Sequence, residues 1–330
     1  MSTQDIRTRF PIFSVHPDLI YLDNAATTQR PEEVIQAMDE YYRSGNANIH
    51  RGVYDLSAKS TEQYESVRDK VADFIGAESG MNIGFTRGTT ESINIVARSF
   101  LSPILTSENN VVVSIAEHHA NFIPWQQVAA ESGAELRIVP MDASGQLDLE
   151  SMRSMIDART GMVAVTHISN TLGSIFPIDA IINMAHKKGV PVMLDAAQSA
   201  ALYPLNVSER KIDFLAFSGH KIFGPYGTGI LYASDEYRNQ IRPYNVGGGM
   251  IRQVAIERTD FQSFPISLEA GTPNIAGVIG LGAALDFLGT IDRESTLGEI
   301  DSIAAKVKKE LAELPGVNIA GPFKDVSSII

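Results

Sequence analysis

A chain of 330 residues, 44% hydrophobic and 20% charged, has the composition of an ordinary globular protein with material for one large core or two unequal ones. Its net charge of −12 argues against general nucleic-acid binding, because phosphate backbones attract basic faces. The absence of cysteine excludes disulfides, thiolate metal sites and a cysteine nucleophile within these residues. No apolar run reaches the length of a membrane span and no secretory leader is expected, so the reading is a cytoplasmic protein without membrane association.

In chain order, residues 62–75 read as a helix with Tyr64, Val67, Val71 and Phe74 on one face and a stop at Gly76. A short strand precedes Arg87, and 110–115, with Val111, Val112 and Val113, is another. A helix from Asn121 ends at Gly133, and a strand over 135–139 follows. Residues 162–168 form a strand, 178–188 a helix closed by Gly189, and 190–194 a strand. Two more strands cover 213–217 and 229–232. Short, continuously apolar strands alternating with amphipathic helices predict an α/β fold, three-layer αβα around a mostly parallel sheet. Toward the end, 296–314 reads as one amphipathic helix with Leu297, Ile300, Ile303, Val307 and Leu311 on a stripe. A short strand over 317–319 follows, and another begins at Val326 and runs to Ile330. A strand with no turn after it is an unusual end, so the chain is expected to be truncated there.

Chemistry is expected at the strand ends. Lys221, in Phe217-Ser218-Gly219-His220-Lys221, stands where an apolar strand enters a loop before Gly224-Pro225-Tyr226-Gly227-Thr228-Gly229. A lysine held there can lose its proton and attack a carbonyl, as in Schiff-base enzymes. Asp195 ends another strand. It is either the partner of a protonated ring nitrogen or a helix N-cap. Arg87-Gly88-Thr89-Thr90-Glu91 opens a helix. Its free N–H groups and the hydroxyls of Thr89 and Thr90 suit an anion, or simple capping. In Glu117-His118-His119-Ala120-Asn121 an imidazole is placed to stack on a ring or shuttle a proton. Adjacent histidines point to different sides of an extended chain, so no metal site is expected. Asn170 ends a further strand, and Ser218 and His220 flank the lysine. Together these are the parts of a pyridoxal phosphate (PLP) site.

The same residues resemble a known family. Tyr21-Leu22-Asp23-Asn24-Ala25-Ala26-Thr27-Thr28, Asn48-Ile49-His50-Arg51-Gly52, Thr86 to Glu91, Glu117 to Asn121, Asp195-Ala196-Ala197-Gln198, Ser218 to Lys221, Gly247-Gly248-Gly249 and Glu269-Ala270-Gly271-Thr272-Pro273-Asn274 occur in family order. They resemble the SUF-type cysteine desulfurases or selenocysteine lyases, class V enzymes of PLP fold type I. By that resemblance Lys221 would form the Schiff base with PLP and later take the Cα proton. Asp195 would pair with the ring nitrogen, Gln198 with the ring hydroxyl and Asn170 with a ring substituent, while His118 would stack on the ring and take part in catalysis. Thr89, Thr90, Ser218 and His220 would hold the phosphate. Thr272 would reach the phosphate of a neighbouring subunit, which implies a homodimer with shared active sites. Ala25, His50 and Arg51 would lie on the substrate side.

The resemblance further implies a segment 1–20 packing with the small domain, a large PLP-binding domain over 21–285, and an incomplete small α/β domain over 286–330. It implies conversion of L-cysteine, or L-selenocysteine, to alanine. The sulfur would pass to a SUF-type acceptor protein for iron–sulfur cluster assembly. The family's persulfide-forming cysteine and carboxylate-gripping arginine are not among these residues. The expectation is therefore weak PLP binding or none, no persulfide on the chain itself, and a tendency to aggregate. Other class V chemistry, an aminotransferase or a kynureninase-like hydrolase, is the first alternative, and a non-catalytic truncated paralogue the second.

Overall fold

The structure, a computed structural model, describes residues 3–142, 144–321, 326, 327 and 329. Its frame is a seven-stranded sheet. The strands are β1 (Ile83–Thr86), β2 (Asn110–Ser114), β3 (Glu135–Val139), β4 (Thr160–Thr166), β5 (Val192–Asp195), β6 (Phe214–Ser218) and β7 (Gly229–Ala233), in the order β1-β7-β6-β5-β4-β2-β3. Four neighbouring pairs are parallel, and β7 runs antiparallel to both β1 and β6. The carboxyl ends of β1, β2, β4, β5 and β6 consequently share one edge of the sheet.

The strands inside the sheet are mostly apolar because both their faces are covered, whereas the edge strand β3 carries Glu135 and Arg137 and is largely exposed. Alternate side chains enter two separate cores. Val112, Val163, Val165, Leu194, Leu215 and Phe217 join one core with Tyr64, Val67 and Val71 of the helix Asp55–Ile75, Ile181 of Ile178–His186 and Leu281 of Ile275–Gly289. Val111, Val113, Met162, Ala164, Met193 and Phe214 join the other with Ile93 of Thr89–Ile95 and Trp125 of Ile123–Ser132. This is the expected three-layer arrangement.

Several boundaries differ from the sequence expectation. The helix predicted over 62–75 begins at Asp55, because its first turns are held by polar rather than apolar contacts. Ser57 donates to the Asn48 carbonyl at 2.7 Å and Ser60 to that of Gly45 at 2.7 Å. Its end at Gly76 is as predicted, in the left-handed conformation (φ 68°) that glycine adopts without a Cβ penalty. The helix expected from Asn121 starts at Ile123, after a tight turn over His119–Asn121. The strand expected over 317–319 is not formed, since that segment finds no strand partner among the described residues. Val326 makes one bridge to Ser174, while residues 328 and 330 of the last expected strand lie outside the described residues. A hairpin of β8 (Ile251–Val254) and β9 (Thr259–Phe261) was not anticipated, its strands being short and solvent-facing. Near the N-terminus, Phe10 is buried against Phe223 and Phe287, with ring centroids 5.6 Å away in each case. The helix Ile275–Gly289 runs through residue 285 without a break.

Candidate active site

The shared edge of the sheet opens into a cavity of about 490 Å³. Ala25, Thr89, Thr90, His118, Asn170, Asp195, Gln198, Ser218, His220 and Lys221 all line it. Ala25 comes from a loop that crosses the strand ends, and the others come from the ends of β1, β2, β4, β5 and β6. The sheet therefore gathers residues that are far apart in sequence, as parallel α/β sheets do.

Lys221 ends a single tight turn, Gly219–Lys221, directly after β6. The turn is tied to the chain's first loop. Thr28 donates its N–H and its hydroxyl to the His220 carbonyl, each at 3.0 Å, and its oxygen accepts the Phe223 N–H at 2.9 Å. Burial disfavours the Lys221 ammonium and lowers its pKa, with Asp195 opposing the shift. Asp195 itself is only 3% exposed, and burial raises its carboxyl to about 6 against the Ala197 N–H and the Lys221 charge. Its Oδ1 accepts from the Ala197 N–H at 2.9 Å, which closes a turn rather than capping a helix, since no helix begins there. Only that one oxygen is engaged in a hydrogen bond among the described residues. The other is left to a partner in the cavity.

The His118 Nδ1 accepts the Ala120 N–H at 3.1 Å. In the neutral ring this leaves the proton on Nε2. Burial, Lys221 and His119 lower its pKa, favouring the uncharged ring. Gln198 Nε2 donates to the Ala25 carbonyl at 2.9 Å, fixing both to one wall.

The other end of the cavity is rich in hydroxyls and N–H groups. The Thr89 N–H donates to Ser218 Oγ at 2.8 Å, and the two hydroxyls lie 2.8 Å apart. The approach of β7 to this turn is close enough that a Cβ on Gly229 would stand 2.3 Å from the Gly88 Cα, so no larger residue fits. His220 stacks on Tyr226 with centroids 5.6 Å apart, and Arg30 covers the same Tyr226 ring at 4.7 Å. Burial, Lys221 and Arg30 lower the His220 pKa. Arg87 takes no part in the cup. Its guanidinium is turned onto Glu91 at 2.7 Å.

The remaining predicted residues are elsewhere. His50, Arg51 and Thr272 line a second cavity of about 150 Å³ that shares no lining residue with the first. His167, just beyond the end of β4, is buried edge-on to Tyr203 and lines neither cavity. Two residues escaped the sequence reading as individuals. Thr28 and Glu117 lay inside motifs quoted whole, and nothing in the local pattern separated them from their neighbours.

The comparisons with known proteins agree with this geometry. Residues 20–330 match the family Aminotransferase class-V. The chain is 44% identical over 325 residues to a cysteine desulfurase of Cronobacter sakazakii, covering 97% of this chain and 80% of the relative. It is 42% identical over 328 residues to a cysteine desulfurase of Synechococcus elongatus, covering 98% of this chain and 52% of that relative. The crystal structure of the Escherichia coli cysteine desulfurase CsdA matches with a TM-score of 0.89 at 39% identity, over 96% of this chain and 79% of that one. The apo structure of a cysteine desulfurase from Thermococcus onnurineus matches with a TM-score of 0.93 at 37% identity, over 99% and 81%. The chain thus belongs to the class-V aminotransferase family, in its PLP-dependent cysteine desulfurase branch.

Proposed function

We propose that the cavity binds PLP and that the chain converts L-cysteine to L-alanine, giving up sulfur to a thiol acceptor. The observation that carries this reading is the pairing of a buried, half-satisfied carboxylate, Asp195, with a half-buried lysine, Lys221, in one cavity at adjacent strand ends.

The residues fit the cofactor. A carboxylate at 3% exposure with one unengaged oxygen suits a protonated ring nitrogen, whose charge reverses the penalty of burial. The hydroxyl and N–H cluster of Thr89, Thr90, Ser218 and His220 suits a phosphate. When bound, PLP supplies an electron sink for charge developing at the substrate Cα. The chain does the rest. Asp195 holds a proton on the ring nitrogen. Lys221 Nζ, made easier to deprotonate by burial, is the attachment point and the base that moves the Cα proton. Gln198 and Asn170 would orient the ring, and the uncharged His118 ring would lie against it with a proton available at Nε2.

These 330 residues contain no cysteine, so sulfur leaving the substrate is taken by a thiol outside them. The acceptor is proposed to be a SUF-type protein serving iron–sulfur assembly in the cytoplasm. The separation of Thr272 from the Lys221 cavity supports a homodimer in which a second copy completes each site.

The test is direct. The purified chain is incubated with PLP, reduced with borohydride and digested, and the pyridoxyl group is located by mass spectrometry. The adduct is expected on Lys221 and absent from Lys221→Ala. An adduct on another lysine overturns the assignment. Alanine release from L-cysteine with added thiol, rather than a keto acid, separates the desulfurase reading from an aminotransferase.

A further inference from the structure

Glu117 has no task in the chemistry above, yet it is held more tightly than most groups that do. Its Oε1 accepts from Ser114 Oγ at 2.5 Å and from the Thr166 N–H at 2.9 Å, and its Oε2 accepts from Asn121 Nδ2 at 2.6 Å. Asn121 is fully buried and in turn accepts from Trp125 Nε1 at 2.9 Å. The three donors come from the end of β2, the end of β4 and the turn beyond His118. The Asn121 N–H also donates to the His118 carbonyl at 2.8 Å. His118 is thereby strapped from both sides. A glutamine in place of Glu117 has a single acceptor oxygen and must abandon at least one of the three donors. Burial pushes the Glu117 carboxyl up to about 8 despite those hydrogen bonds, and Asp195 adds to the rise. The fold thus keeps an acid where an acid is unfavourable, next to the ring-stacking residue.

We propose that Glu117 is a positioning residue, clamping the turn that carries His118 to the end of β4 and so setting where the His118 ring lies in the cavity. The proposal rests on the reading that His118 stacks on PLP. Glu117 touches neither substrate nor cofactor, and acts through His118.

The experiment is a double-mutant cycle on the full chain, with Glu117→Gln, His118→Ala and the double variant. PLP affinity is read from cofactor absorbance and from quenching of Trp125, the chain's single tryptophan. Induced circular dichroism of bound PLP reads the ring's setting, and thermal unfolding reads stability. Glu117→Gln is expected to weaken PLP roughly tenfold, the size of a coupling within one hydrogen-bonded network. The double variant is expected to bind no more weakly than His118→Ala alone. Effects that multiply overturn the proposal, as does a Glu117→Gln protein that melts earlier while its affinity and dichroism stay unchanged. If Glu117→Gln does not fold, Ser114→Ala, which removes one strap, enters the same cycle with the same non-additivity expected. A wild-type chain that binds no PLP removes the underlying reading instead, and is told apart by that first measurement.

Discussion

The two cavities are made from different material. The Lys221 cavity is cut from strand ends, so its residues sit where a rigid parallel sheet puts them. The second cavity is lined by residues 48–51, 248–249 and 266–273, none of which belongs to a strand of the seven-stranded sheet. What holds those loops is a buried ion cluster. Arg68, 2% exposed, donates to both oxygens of Glu269 at 2.7 and 3.1 Å, to the Ile83 carbonyl at 2.7 Å and to Glu65 at 2.8 Å. Glu269 also accepts from the Phe85 N–H and the Tyr64 hydroxyl, each at 3.1 Å. Glu65 meets His50 at 2.8 Å, so the cluster reaches from one loop to the other. Chemistry built on strands can be complete within one fold, whereas loops fixed by charge suit a surface offered to something else.

The sharpest way to break this contrast is to remove the cluster's centre. Arg68→Met leaves Glu269 buried without its counter-ion, and a loss of about 3–5 kcal/mol in denaturant unfolding is expected. Lys221→Ala also takes a counter-charge from a buried carboxylate, but Asp195 keeps its Ala197 N–H bond and takes up a proton near 6, so the loss is expected to be smaller, about 1 kcal/mol. Equal stabilities for Arg68→Met and wild type would show that the loops have another support.

A smaller effect tests what the loops are for. Thr272→Ala is expected to weaken PLP retention about tenfold, the worth of one hydrogen bond to a charged group. If Thr272 serves a neighbouring copy, mixing Thr272→Ala with Lys221→Ala chains restores one intact site per mixed dimer. Retained PLP after gel filtration then rises above that of either variant alone. No rise on mixing places Thr272 at a site within its own chain.

Most of the first cavity was legible in the sequence, and the reason is physical. Parallel strands buried on both faces are continuous apolar runs, so their ends are visible, and the polar residue after each run is the candidate. Lys221, Asp195 and His118 were found that way. Glu117 was not, because although Ser114 and Asn121 lie three and four residues away, Thr166 reaches it only through the pairing of β2 with β4, which no local pattern encodes. The second cavity was legible only through resemblance. Its frame depends on Arg68 meeting Glu269 across 201 residues of sequence. The strand expected over 317–319 failed for the same reason in reverse: a local pattern suited a strand, but a strand exists only where a partner lies beside it.

The weakest expected effect separates the cavities by pH. In the PLP-free protein, burial raises Glu117 to about 8 and Asp195 to about 6, each above its value in an unfolded chain. A raised acid contributes stability at low pH and loses it as pH climbs through the folded value, so the first cavity loosens toward alkali. Glu65 is the opposite case. Burial acts to raise it, but hydrogen bonds from His50 and Arg68 win and hold it at about 2. Its contribution is present above the unfolded value and lost as pH falls, so the second cavity loosens toward acid. His167, lowered to about 4 by burial, contributes stability that is fully present above its ordinary 6.5 and lost as pH falls toward 4, so it does not act above pH 6.5. Lys221, also lowered by burial, gains stability as pH climbs toward its ordinary value and partly offsets Glu117. Thermal unfolding of the PLP-free chain is therefore expected to shift down by roughly 2–4 °C between pH 6.5 and 9, and Glu117→Gln to flatten that slope. Glu65→Gln should leave the alkaline slope intact and flatten the one below pH 4.5. A Glu117→Gln protein with an unchanged alkaline slope would mean that the carboxyl ionises in the folded state as it does in water, and that the first cavity is wetter than its hydrogen bonds imply.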